Sequence, residues 1–392
     1  MEFSARKNFR WRLLPFGRWR LAWTSFARRQ ARIVAASDAA RIFHPLPPEQ
    51  AYRRQKPCIK KAPPEFYPAI DRLCSMPASP PPGGVATFDE ACAIGGGVLL
   101  TRDGEIIAES LTNSDDTQQF KPFSRLGGGL TIRIWPLRPI RFLSGETIYL
   151  RQFWDGNYGH WLVELLPRIA IAAQFCDLSQ CRIVVTAKTG GMSQVYRDSL
   201  ALFGVKPEQI VGMRRRPVIF ERLHYPLPVS QHPWVKSPRA IELLESLPEK
   251  LGAKRDGPIR LYVTRNSGKS RRLTNEKDIL SLLRPLGFVS VDPGRLSFAD
   301  QLRIFAGAEL IVGNCGAGLT SLVFSPRGVG VFALTSPFMQ DDFFWDLTDL
   351  KQGRFFSLHG EATDPARRSK SDFSIDVAAF KAMLPEFLAE AG

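Results

Sequence analysis

This 392-residue sequence predicts an α/β protein built as two lobes, and three observations predict it. From about Glu146 onward, short apolar runs alternate with amphipathic stretches of helix length, the pattern of βαβ units around parallel sheets. A Pro-rich crossing, Pro226 to Pro238, divides that alternation into two series. Upstream, the linker MPASPPPGG (Met76 to Gly84) separates both series from a basic N-terminal segment. The expected division is a basic aromatic segment with linker over 1–84, one α/β lobe over 85–235 and a second over 236–392. Ligands of such proteins bind in a cleft, here expected between the lobes.

Taken in order, Gly97 to Ser110 reads as a hairpin turning at Asp103-Gly104. In the first lobe, Ile148 to Phe153 is strand-like, Tyr158 to Phe175 helical, Arg182 to Ala187 strand-like and Ser193 to Phe203 helical. The second series opens with a helix over Ala240 to Leu251, a strand over Arg260 to Thr264, a helix over Glu276 to Leu286 and a strand over Phe288 to Val291. Next comes a helix over Ser297 to Ala306, with Ser297 as N-cap and Asp300 three residues on. Strand Leu310 to Val312, a Gly-rich loop, a helix beginning near Leu319 and strand Val329 to Leu334 complete it. The body is expected to start at Gly84 and to fold without residues 1–61.

The net charge of +15 is unevenly spread. Residues 1–61 hold 15 Lys and Arg against Glu2, Asp38 and Glu49, a net of +12, so the remaining 331 residues carry only +3. A nearly neutral body without a nucleic-acid module argues against nucleic-acid binding. The N-terminal run FRWRLLPFGRWRLAWTSFARRQ interleaves aromatic and arginine side chains, the chemistry of an interfacial helix or hairpin, with Pro15 and Gly17 interrupting any helix. It predicts attraction to an anionic membrane surface through residues 1–61; a solvated tail or a transit peptide has similar composition. Apolar runs are too short for a membrane-spanning helix. Six cysteines with no CxxC pair predict neither a disulfide framework nor a metal site.

Three segments concentrate unusual chemistry. DGNYGHWLVELLPR, from Asp155 to Arg168, puts His160 near a helix start with Glu164 one turn further on the same face. A histidine there suits general-base work, although capping or packing would account for it equally well. In LYVTRNSGKSRRLTNE, from Leu261 to Glu276, a strand runs into a loop with Arg265, Lys269, Arg271 and Arg272, four cations in eight residues. They suit a diphosphate, or form a solvated basic loop. LIVGNCGAGLTSL, from Leu310 to Leu322, ends a buried strand in Gly313, Gly316 and Gly318 before a helix, which makes an anion site from backbone N–H groups.

Together these segments resemble glycosyltransferase family 61, over roughly Tyr149 to Leu334. NYGHWLVELLPR, the Thr-Arg with Arg-rich and Asn-Glu stretch, and Gly287 to Leu334 are each similar to a family block. The resemblance implies two Rossmann-like lobes facing a cleft, a GT-B-like fold, with the 85–235 lobe on the acceptor side and the 236–392 lobe on the nucleotide-sugar side. It implies metal-independent, inverting transfer from a nucleotide-sugar, a UDP-sugar, to a glycan or lipid-linked glycan, with no cofactor beyond the donor. The product would be surface or capsular polysaccharide, made on the cytoplasmic side by a protein peripheral to the inner membrane face. His160, with Asp155 and Glu164, is the implied catalytic set. Arg265, Lys269, Arg271, Arg272, Asn275, Glu276, Cys315, Gly316, Ala317 and Gly318 are the implied donor contacts. One departure stands out: the family's usual His-Gly-Ala-Gly is Cys315-Gly316-Ala317-Gly318 here. Loss of that imidazole raises the alternative of a catalytically weak binding or scaffold protein.

Overall fold

The apolar runs beginning at Arg182, Arg260, Leu310 and Val329 are strands in the computed structural model, which describes residues 32–111, 139–231, 235–253, 257–339 and 342–390, with the backbone of short strands at 10–13, 19–23, 29–30, 123–126 and 129–132. The chain folds into two compact units made of discontinuous stretches. Unit 1 takes 1–48, 82–156 and 168–228; unit 2 takes 49–81, 157–167 and 229–392.

Unit 1 holds a mixed sheet. Strands Pro139–Tyr149, Arg182–Thr186, Ile210–Met213 and Val218–Pro226 run parallel to their neighbours in the spatial order 218, 139, 182, 210. Antiparallel strands Gly84–Asp89 and Cys92–Ile94 extend it beyond Val218–Pro226. The expected hairpin forms, with Leu100 opposite Ile106 and Gly104 N–H donating to Thr101 O at 2.9 Å. Phe88, Leu99, Tyr149, Phe220, Leu223 and Tyr225 lie in one buried cluster.

Unit 2 contains six parallel strands in the order Val289–Val291, Arg260–Val263, Leu310–Asn314, Gly330–Thr335, Arg354–His359 and Cys58–Lys60. Every residue of Leu310–Asn314 and Gly330–Thr335 is buried, as expected of central strands covered on both faces. Alternate residues Leu310, Val312, Phe332, Leu334, Phe356 and Leu358 pack with Ile279 and Leu283 of helix Glu276–Leu283 and with Phe380 and Phe387 of helix Val377–Glu390. Without the edge strand Cys58–Lys60, the order in chain terms is 2-1-3-4-5, a doubly wound pattern. Its switch point lies between Arg260–Val263 and Leu310–Asn314, and residues just past the C-terminal ends of those strands are placed to meet a ligand.

Three expectations need correction. First, the boundaries at 84/85 and 235/236 do not follow the units, because part of the supposed N-terminal segment belongs to the fold. Ile42–Pro45 pairs with Gly84–Asp89, and Cys58–Lys60 closes the unit 2 sheet against Arg354–His359. Second, residues 49–61, expected to be separable from the body, are built into unit 2. Buried Asp346 accepts from Arg54 Nε at 2.7 Å, the Tyr52 hydroxyl at 2.8 Å and Lys236 Nζ at 2.9 Å, so the 52–54 stretch neutralises a carboxylate nearly 300 residues away. Third, the helix after the Gly-rich loop is a 3-10 helix, Ala317–Phe324, and Glu276–Leu283 ends earlier than expected in a 3-10 turn, Arg284–Leu286.

At the N-terminus Arg10–Leu13 pairs antiparallel with Trp19–Trp23. Of residues 1–61, expected to make the membrane contact, the side chains of 1–31 lie outside the described residues. Among the described residues no helix is long and apolar enough to cross a membrane.

Candidate active site

The motif around His160 starts with a side-chain cap. Asn157 Oδ1 accepts from Gly159 N–H at 2.9 Å, which turns the chain into helix Tyr158–His160. The next turn is a π-helix, Trp161–Leu165, a form found mostly where function distorts a helix. His160 Nδ1 lies 2.9 Å from Glu164 Oε1, the histidine side chain 13% exposed and the glutamate 2%. A buried carboxylate facing Nδ1 orients the ring and leaves Nε2 as the basic nitrogen. Tyr158 OH lies 3.1 Å from Ser321 Oγ, and Ser321 Oγ donates to Gln301 Oε1 at 3.0 Å. These bonds seat the motif on the 3-10 helix Ala317–Phe324.

The second motif reaches the same loop from the other side. Arg265 follows strand Arg260–Val263, and its guanidinium lies across Gly316. A Cβ on Gly316 would overlap Arg265 Nη1 and stand 3.0 Å from Arg265 Cδ, so a larger residue there would displace the guanidinium from this position. Arg265 Nε donates to Ser270 O at 3.3 Å. Among the described residues no carboxylate lies within ion-pair distance of Arg265. Burial, reinforced by the like charge of Arg271, pushes its pKa down to about 10. A half-buried cation with no counter-charge is disposed to take up an anion.

Glu276 acts on that loop from beneath. Its Oε1 accepts from Tyr262 OH at 3.0 Å and Thr264 Oγ1 at 2.5 Å, and its Oε2 from Asn266 Nδ2 at 2.7 Å. Asn266 in turn bonds Leu273 through both amide atoms, at 2.9 and 2.8 Å. Thr264 and Asn266 flank Arg265 in sequence, so Glu276 holds the side chains on either side of the arginine.

The remaining sequence-expected residues separate into groups. Arg272 is claimed by Asp372, with Nη2 at 2.7 Å and Nε at 2.9 Å from Oδ2, and this pairing holds the Asp372 carboxyl below its ordinary range. Asn275 exchanges two bonds with the backbone of Ile375, at 2.8 and 3.0 Å. Both residues tie this loop to the C-terminal segment. Arg271 Nη1 points at Met339 Sδ at 3.3 Å, and Lys269 is exposed. Cys315, partly exposed, donates its N–H to Leu334 O at 2.9 Å; Gly316 is extended, with φ 171°, and Ala317 and Gly318 begin the 3-10 helix.

Asp155 belongs to unit 1, whereas His160 and Glu164 belong to unit 2. Its Oδ2 accepts from Arg151 Nε at 3.0 Å, and burial raises its pKa. In the same unit Arg168, which ends the motif, donates to Gln152 Oε1 at 2.7 Å deep in the core. Sequence reasoning missed Thr264, Asn266, Tyr158 and Ser321. For the first two the signal was present in the T-R-N spacing followed ten residues later by a helix-opening glutamate.

The sequence model of one family, Glycosyltransferase 61, matches residues 158–332. Over that range the chain is similar to glycosyltransferase family 61. The matched range contains both motif segments of unit 2 and the loop on which they meet. Among curated proteins, the EGF domain-specific O-linked N-acetylglucosamine transferases of Canis lupus familiaris and Pan troglodytes are each 33% identical over 85 residues, and that of Mus musculus 32%. Each match spans 20% of this chain and 16% of the length of the relative. His160, Glu164, Arg265, Glu276 and Cys315 to Gly318 all fall inside the matched range, and Asp155 just before it.

Proposed function

We propose that this chain transfers a sugar from a nucleotide-sugar donor to a glycan acceptor, without a metal and with inversion. The observation that supports the reading is the meeting of three sequence segments on one loop at the switch point of the unit 2 sheet, with Arg265 laid on Gly316 and no carboxylate beside it among the described residues. In this reading the acceptor hydroxyl gives its proton to His160 Nε2 while its oxygen attacks the anomeric carbon. The bond from that carbon to the diphosphate oxygen breaks as the new one forms. Arg265, aided by Arg271 and by backbone N–H groups around Gly316, neutralises the departing nucleoside diphosphate. Glu164 orients the imidazole, and Glu276 holds the Arg265 loop.

The finer parts of the proposal are a UDP-sugar as donor, the two units as lobes of a GT-B-like enzyme, and a lipid-linked or surface polysaccharide as acceptor. A peripheral place on the cytoplasmic membrane face, reached through the basic N-terminal segment, completes it. Titration calorimetry of the full chain with UDP, GDP and ADP and their sugars tests the donor. UDP binding that Arg265→Ala weakens by about 1.5–3 kcal/mol, with the fold intact by circular dichroism, is expected for a lost charge-assisted bond. Unchanged affinity removes Arg265 from the site. Cys315, standing where the family has histidine, favours a second reading as a binding protein of low turnover, and release of free sugar from the bound donor decides between the two.

A further inference from the structure

The C-terminal ends of the parallel strands in unit 1 carry side chains that the reaction above leaves unused. Three loops lie side by side there, because Pro139–Tyr149, Arg182–Thr186 and Ile210–Met213 are successive parallel neighbours, with Tyr149 beside Val184 and Thr186 beside Met213. The first loop presents Trp154, the second Lys188, and the third Arg214, Arg215 and Arg216 in a row. Lys188 and the three arginines are exposed, and among the described residues none is within ion-pair distance of a carboxylate.

Trp154 is unusual in two respects. It is 43% exposed, and its φ is +63°, a left-handed backbone that a bulky residue seldom adopts. Such a conformation persists only where surrounding structure imposes it, and here that structure is visible. Arg151 Nε pairs with Asp155 Oδ2 at 3.0 Å, Arg151 Nη1 donates to Arg214 O at 3.1 Å, and Tyr196 OH donates to Asp155 O at 3.1 Å. The buried Arg151–Asp155 pair thus fastens the Trp154 loop to the arginine loop. Lys188 lies over Gly156, where a Cβ would overlap its Cε, so the lysine stands beside the residue immediately preceding the Asn157–Arg168 motif.

We infer that this edge of unit 1 binds an acidic oligosaccharide as acceptor, an inference that rests on the glycosyltransferase reading. An indole face supplies a flat apolar platform for the C–H face of a sugar ring, and a row of guanidinium groups pairs with carboxylates on successive residues. Uncharged sugars would leave four cations unmatched. Asp155, expected to be catalytic, is in this account a positioning residue for the binding loops.

The test uses the full chain with three probes: an octamer of galacturonic acid, a neutral maltooctaose, and phosphatidylglycerol vesicles. Intrinsic tryptophan fluorescence and calorimetry follow binding, and UDP affinity is measured on the same samples. The galacturonate octamer should bind and maltooctaose should not. The triple variant Arg214→Ala/Arg215→Ala/Arg216→Ala should weaken octamer binding at least tenfold. Trp154→Gly, which suits the positive φ, should weaken it about fivefold without loss of fold, and Trp154→Phe should restore most of it. UDP affinity should stay unchanged throughout. Equal binding of the neutral octamer, an unaffected triple variant, or capture of vesicles but not octamer by these arginines would overturn the inference. UDP binding without octamer binding refutes this inference alone, whereas octamer binding without UDP binding refutes the donor reading and leaves the acidic-glycan surface standing.

Discussion

Both units place cations beyond the C-terminal ends of parallel strands, but they hold them differently. In unit 2 Arg265 is half-buried, laid on Gly316 and flanked by residues bonded to Glu276, while Arg272 is neutralised by Asp372. In unit 1 Lys188 and Arg214 to Arg216 are exposed, and only the backbone beneath them is braced, by Arg151 and Asp155. A desolvated, pre-oriented cation suits one small anion in one geometry, whereas solvated cations in a row suit a chain of charges that need not be registered to a fraction of an ångström. Sequence composition treats the two clusters alike, and burial distinguishes them.

The most severe way to break the comparison is to remove the part of unit 2 contributed from near the N-terminus. Deleting residues 49–61 takes away the edge strand and two partners of Asp346 and should abolish cooperative folding of unit 2. The milder Arg54→Ala should cost about 3–5 kcal/mol, as expected for breaking a buried ion pair. Chemical denaturation of both variants is the measurement, and wild-type midpoints would show that the 49–61 stretch merely rests on the surface.

Acid should also weaken unit 2. His359 ends strand Arg354–His359, has its ring 5.7 Å from that of Phe66 and tilted by 59°, and is held by burial at a pKa of about 4. Between its ordinary value near 6.5 and about 4, the unfolded chain binds a proton that the folded chain refuses, so stability falls as pH drops through that window. The loss reaches on the order of 3 kcal/mol by pH 4, at 1.36 kcal/mol per pKa unit. His359→Phe should flatten the pH dependence, and an equal slope in the variant would assign it to other groups.

His160→Ala should lower turnover about a hundredfold with UDP affinity preserved, as loss of a general base predicts. Steady-state kinetics with the calorimetry above check this, and an equal loss of donor affinity would recast His160 as a binding residue. Glu276→Gln is the smallest perturbation. It keeps an acceptor for Tyr262 and Thr264 but turns an amide N–H towards Asn266, so UDP affinity should fall about threefold through looser placement of Arg265. Combining it with Arg265→Ala should add nothing further; additive losses would mean that Glu276 touches the nucleotide itself.

Much of this protein was legible from local pattern. Ser297 caps helix Phe298–Ala306 by accepting from Asp300 N–H at 3.1 Å, Asp103-Gly104 turns the hairpin, and His160 meets Glu164 four residues on, because each depends on neighbours within a few positions. The three motif segments were identifiable for the same reason. What the sequence left open depends on partners far along the chain. Arg272 looks as available as Arg265 until Asp372, 100 residues later, takes it out of play. Residues 52–58 look like part of a separable basic segment until strand order brings Cys58–Lys60 beside Arg354–His359 and Arg54 onto Asp346. Asp155 and His160 are five residues apart and belong to different units. Local sequence determined which groups were chemically able to act; long-range strand pairing and burial decided which of them kept an unmatched charge, because only the packed structure sets the distance to a counter-ion and the cost of losing water.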